Sequence, residues 1–295
     1  IGASTGMVLA RAIVRDVASG VDAARLMSLL VMILTVVPML APILGAFLAE
    51  TLGWRSTLYA LVVIGVVTLA LIRSSLRETH SPSLEHRIGR QFWLSVREFF
   101  SHRQSVFGVV LIMLTAGGFM VLISGSASLI LEIYKYPVKV FGVIFALCGI
   151  AMFVGSVINR RLLLRMSPLR ASGIGALLVA GAGAQMLYIF WVGDVGFWWV
   201  WGNACLYMFG TGFLMPNAMA LALEPVPKIA GMASSIIGTL QGVAQVTSVT
   251  IGSLLYDGTT ANITLIMGGA GIAILAVYLL RGAIVGVEAG PAAKP

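Results

Sequence analysis

Residues 105–131 read SVFGVVLIMLTAGGFMVLISGSASLIL, 27 positions without an Asp, Glu, Lys or Arg. As a helix rising 1.5 Å per residue the stretch reaches about 40 Å, more than the roughly 30 Å of hydrocarbon in a bilayer. Water is absent there, so each backbone N–H and C=O must be satisfied within the segment, and without strand-like alternation the α-helix is the form that does it. The stretch predicts a membrane-spanning helix.

The same pattern extends in both directions. Charge-free runs cover approximately 1–10, 26–49, 57–72, 140–158, 171–192, 195–223, 229–255 and 263–280. Hydrophobic residues make up 59% of the 295 positions and charged ones 10%, against about a quarter charged in a soluble domain. Run 1–10 reaches only about 15 Å, so the chain is expected to begin inside a helix, as a fragment would. The fold class expected is an all-α membrane protein.

Every charge falls in the gaps, and the basic residues crowd alternate gaps. Odd-numbered gaps and the tail hold sixteen Lys and Arg, among them Arg73, Arg103, Arg160 and Arg281, and even gaps hold three. Polytopic proteins keep Lys and Arg on the cytoplasmic side. The rule places the linker and C-terminus in the cytoplasm, and it assigns the net charge of +8 to anchoring and orientation, not to a nucleic-acid footprint. Cys148 and Cys205 sit inside apolar runs and read as small core residues.

One gap, residues 73–104, is long and polar. It separates three runs from six, an organisation found in transporters built from two similar six-helix halves. The expected domains are 1–73, the remainder of an N-terminal half; 74–104, a cytoplasmic linker; 105–285, a C-terminal six-helix half; and 286–295, a tail. Within the linker, residues 92–100 (FWLSVREFF) are short, aromatic and amphipathic, suited to the headgroup region.

The most distinctive local pattern is residues 37–46, VPMLAPILGA. Pro38 and Pro42 are four apart on one helix face, and each removes a backbone hydrogen bond and bends the helix. Ala41, Gly45 and Ala46 allow close approach by a neighbour. This stretch resembles the antiporter motif in the fifth helix of major facilitator drug/proton antiporters, with Ala41 where Gly is common. Residues 11–16 (RAIVRD) resemble the cytoplasmic end of the fourth helix in the bicyclomycin-resistance (Bcr/CflA) branch, 53–55 (GWR) follow the fifth as they do there, and Phe141-Gly142, 216–220 (PNAMA) and 230–235 (AGMASS) resemble its eighth, tenth and eleventh helices. The resemblance implies about nine of twelve helices, a bacterial inner-membrane location, proton-driven export of small amphipathic compounds, and a coupling carboxylate in helix one, ahead of Ile1.

Candidate substrate contacts are the polar and aromatic residues inside runs: Phe119, Met120, Ser124 and Ser126 in one, Tyr207, Asn217, Gln241 and Gln245 in others. Gln241 and Gln245 share a face. Together these would give an apolar cavity with a few hydrogen-bonding groups, although Ser, Asn and Gln also bond between helices in bilayers. No carboxylate lies at mid-span; Glu50 and Glu132, near the outer face, are candidates for a gate or proton-access point. Gly2/Gly6 and Gly238/Gly242 are expected to mark close helix contacts. No catalytic residue, metal site or cofactor is expected. The three histidines, His80, His86 and His102, lie in the linker, with no nucleophile placed beside them. The expected partners are small amphipathic substrates, protons and the lipid bilayer, for a monomer that binds no nucleic acid. A sugar or organic-acid transporter of the same superfamily, or a transport-inactive fragment, are the alternatives.

Overall fold

The computed structural model describes residues 13, 37, 40–75, 88–193 and 195–282, and no strand occurs among them. The helices are α1 (Leu40–Leu52), α2 (Arg55–Ser75), α3 (Ile88–Ser101), α4 (Arg103–Ala127), α5 (Val138–Leu162), α6 (Pro168–Val192), α7 (Phe197–Leu223), α8 (Ala230–Leu254) and α9 (Ala261–Leu279). Seven are long and apolar enough to cross a membrane: α2 and α4–α9. The chain is an all-α, multi-pass membrane protein. Runs 1–10 and most of 26–49 lie outside the described residues.

Several helices overrun their charge-free runs by a few residues. Run 140–158 becomes Val138–Leu162, taking in Lys139, Arg160 and Arg161, because long basic side chains can lay their stems along the helix and keep the charge in the interface. The last turn of α4 continues as a wider π-helical segment, Ser128–Ile133, whose end is fixed by Tyr134 N–H donating to Leu129 O at 3.2 Å.

Two compact units result: Ile1–His86 with Val138–Ala146, and Arg87–Pro137 with Leu147–Pro295. In the second, α4 packs against α7, α8 and α9, while α6 packs against α7 and α9. Phe107, Leu111, Leu122, Trp201, Tyr207 and Met186 are fully buried there. Small residues set the α6–α9 crossing: a Cβ on Gly183 would stand 3.0 Å from Gly268 O, and one on Gly271 2.7 Å from Val179 O. Gly238 and Gly242 are not at such a crossing. Their missing Cβ positions have no atom within 4 Å among the described residues. Gly2 and Gly6 lie outside the described residues.

The amphipathic segment of the linker forms α3, a helix distinct from α4 because His102 between them is extended (φ −90°, ψ 110°). Phe99 and Ser95 are buried while Trp93 is 70% exposed, and the buried face rests on α8 and α4. The structure thus groups α3 with the second unit, and the first turns of α5 with the first.

Candidate functional site

In the first unit, Pro42 lies inside α1, half-buried, with Ala46 buried beside it and Ala41 exposed. Pro38 lies outside the described residues. The start of α5 meets this stretch at Gly142, where a Cβ would fall 2.7 Å from Ile43 Cα and 2.8 Å from Pro42 O. Only hydrogen at that position lets the two backbones come so close. Gly45 makes no such contact among the described residues. The turn from α1 to α2 uses Gly53 at φ +80°, a conformation cheap only without a Cβ. Ser56 Oγ ties the turn, 2.7 Å from Gly53 O and 2.9 Å from Leu48 O, and the Arg55 guanidinium stacks 4.5 Å from the Trp54 ring centre. Glu50 is exposed at the end of α1.

In the second unit, α5 from Leu147 onward runs in step with α7. Cys148 Sγ lies 3.6 Å from Cys205 Sγ. Further along, a Cβ on Gly155 would run into Phe209 O, and one on Gly212 into Met152 O. Ser156 Oγ donates to Gly212 O at 3.2 Å. Next, Asn217 Nδ2 donates to Asn159 Oδ1 and to Phe213 O, both at 2.8 Å. Both asparagines are buried, so Asn217 bridges two helices. Tyr207 is also fully buried; its hydroxyl packs against Gly118 of α4, where a Cβ would collide with it, and finds no hydrogen-bond partner among the described residues. Ser126 is buried and donates to Ile123 O at 2.8 Å. Phe119, Met120, Gln241 and Gln245 are half-buried on α4 and α8.

A cavity of about 150 Å³ opens where α4, its π-helical extension, α8 and α9 meet, lined in part by Ser124, Ser128, Ser253, Tyr256 and Asn262. Asn262, buried at the start of α9, lines it; its Nδ2 donates to Gly252 O at 2.9 Å, and its Oδ1 has no hydrogen-bond partner among the described residues. At the same end Tyr256 Oη donates to Glu132 Oε2 at 3.0 Å, and this carboxylate pushes the Tyr256 hydroxyl above its ordinary value. Asp257 Oδ1 accepts from Thr259 N at 3.0 Å and from the Thr259 hydroxyl at 2.6 Å, which holds its carboxyl below the usual range. Among the described residues no three His, Cys, Asp or Glu side chains are placed to hold a metal.

Of the expected contacts, only Ser124 lines this cavity; Tyr207 and Asn217 sit within helix contacts. Asn159, Asn262 and the π-helical turn carried no sequence signal, since their partners are 58 residues away or belong to the backbone.

The profile of the Major Facilitator Superfamily matches residues 1–249. The chain belongs to the major facilitator superfamily. Among superfamily members it is similar to the bicyclomycin resistance protein homolog of Haemophilus influenzae, 27% identical over 93% of this chain and 69% of that one. It is 28% identical to multidrug resistance protein D of Escherichia coli over 95% of this chain and 70% of the relative. A Bacillus subtilis transporter of the superfamily, YdgK, is 30% identical over 86% of this chain and 66% of its own length. The chain therefore spans about two thirds of these relatives. A superfamily member is a transporter, and the helix contacts above belong to a transport protein.

Proposed function

We propose that the protein exports small amphipathic compounds across the bacterial inner membrane, by proton antiport with alternating access. The observation that carries this reading is the seating of Pro42 and Ile43 against Gly142, within the stretch that resembles the antiporter motif. A bent helix held this closely limits how the protein opens on one side. The names of the relatives, bicyclomycin resistance and multidrug resistance, support efflux of drug-like molecules.

Substrate passes over Phe119, Met120, Gln241, Gln245 and Ser124, while Ser126, Tyr207 and Asn217 fix the helices that present them. The described spans carry no Asp, Glu, Lys, Arg or His at mid-depth, which favours uncharged or delocalised substrates over organic acids, because buried charges need a partner. Proton coupling requires a carboxylate at membrane depth, supplied from outside the described residues; Glu132 and Glu50 serve gating or proton access near the outer face. The protein acts as a monomer with its basic gaps and C-terminus in the cytoplasm.

Dye accumulation in an efflux-deficient bacterium tests this. Cells expressing the protein should hold less of a fluorescent amphipathic dye than cells with an empty vector, and a protonophore should erase the difference. Equal accumulation, or export that survives the protonophore, overturns the antiport reading.

A further inference from the structure

Cys148 and Cys205 are the protein's two cysteines. They belong to helices that run in the same direction, since the contacts lead from Cys148–Cys205 through Gly155–Phe209 and Met152–Gly212 to Asn159–Asn217. Counted from Val138 and Phe197, the thiols lie ten and eight residues into their helices, about 12–15 Å from those ends. Both are free; Cys148 is buried and Cys205 half-buried. The backbones are held together by glycines one to two turns further on, so the thiols meet without helix movement. Closing 3.6 Å to a disulfide of about 2.05 Å asks each sulfur to move less than 1 Å, within reach of a side-chain rotation.

The geometry points to an oxidative modification site: Cys148 and Cys205 close into a disulfide that ties α5 to α7 when a lipid-soluble two-electron oxidant reaches them. With an uncharged azo oxidant such as diamide the step balances. The first thiol adds its sulfur to one nitrogen and its proton goes to the other. The second sulfur then attacks the first, the S–S bond forms as the S–N bond breaks, and the second proton ends on the leaving nitrogen. Two thiols are oxidised and the azo group becomes a hydrazine. The depth of the pair selects uncharged oxidants, since a charged one must cross hydrocarbon to arrive.

The cross-link has a mechanical consequence. Residues Val138–Ala146 of α5 cluster with the first compact unit, and Leu147 onward with the second. A disulfide at Cys148 fastens the helix to α7 immediately past that point, and export that needs α5 to bend or slide there stops. This last step rests on the proposed efflux; the disulfide itself does not.

The test treats membranes holding the full chain with diamide, unfolds the protein in detergent, and counts free thiols with a maleimide-polyethylene glycol tag. The untreated chain should take two tags, the treated chain none, and the treated chain after reduction two again, all as a monomer on a non-reducing gel. C148S and C205S should each keep their single tag after diamide. Two tags on the treated chain, or a cross-linked dimer, overturns the proposal. In dye-loaded cells, diamide should stop export by the parent chain reversibly and spare C148S. A disulfide that forms while export continues overturns the latch. Absent export in every form, with the thiol counts as expected, means that the efflux reading fails and the disulfide stands.

Discussion

Asn217 Nδ2 donates to Asn159 Oδ1 at 2.8 Å across the α5–α7 contact, and also to Phe213 O within its own helix. The pair is buried, where a lost partner leaves a polar group unsatisfied. We expect Asn159→Ala and Asn217→Ala each to cost about 1–2 kcal/mol, near the upper end for interhelical bonds in bilayers. The double variant should lose less than the sum. Reversible unfolding in detergent measures this; strictly additive losses would show that the bond carries no coupling.

Tyr207→Phe separates packing from substrate contact. The hydroxyl is fully buried with no hydrogen-bond partner among the described residues, so its removal should stabilise the protein by about 1 kcal/mol, the cost of an unmet polar group. Dye export should be unchanged. A variant of wild-type stability that loses export would place the hydroxyl on the substrate instead.

These two residues also show where sequence reading stopped. The spans were legible because charge is expensive in hydrocarbon, so 105–131 and 140–158 stand out between basic gaps. Orientation of the side chains was not. A helix apolar on every side gives no periodic signal of which face is core, and Asn217, Tyr207 and Gln241 read alike in sequence. The structure distinguishes them: Asn217 is spent on Asn159, Tyr207 on the gap left by Gly118, and Gln241 stays half-buried on α8. The approach of Cys148 to Cys205 spans 57 positions and depends on glycines elsewhere in the same contact. Gly238/Gly242 shows the converse, a small-residue spacing that meets no atom within 4 Å among the described residues.

Gly142→Val tests the contact at the α1 proline. The first added carbon would stand 2.7 Å from Ile43 Cα, a backbone atom that cannot rotate away. We expect about 1–3 kcal/mol of destabilisation from overpacking, together with loss of export. Gly45→Ala, whose Cβ meets nothing within 4 Å among the described residues, should leave stability within about 0.5 kcal/mol, as open-site substitutions do. Equal effects of the two would remove the contact from the account.

The Tyr256–Glu132 pair predicts a pH signature. The Glu132 carboxylate favours the neutral phenol, so the folded hydroxyl titrates above the unfolded value of 10.0. Its contribution to stability is fully present below pH 10 and is lost as pH rises through the folded value. Tyrosinate absorbance should show a late-titrating component that Tyr256→Phe deletes and Glu132→Gln moves to lower pH. A titration unchanged by Glu132→Gln would refute the coupling.

Transport in a defined membrane tests the central claim most directly. The purified protein, reconstituted in liposomes preloaded with a fluorescent amphipathic dye, would be given a pH gradient and dye movement followed with time. Export by proton antiport predicts dye moving against its gradient while protons move down theirs, with collapse of both on adding a protonophore. Dye fluxes equal to those of empty liposomes under the same gradient would contradict it.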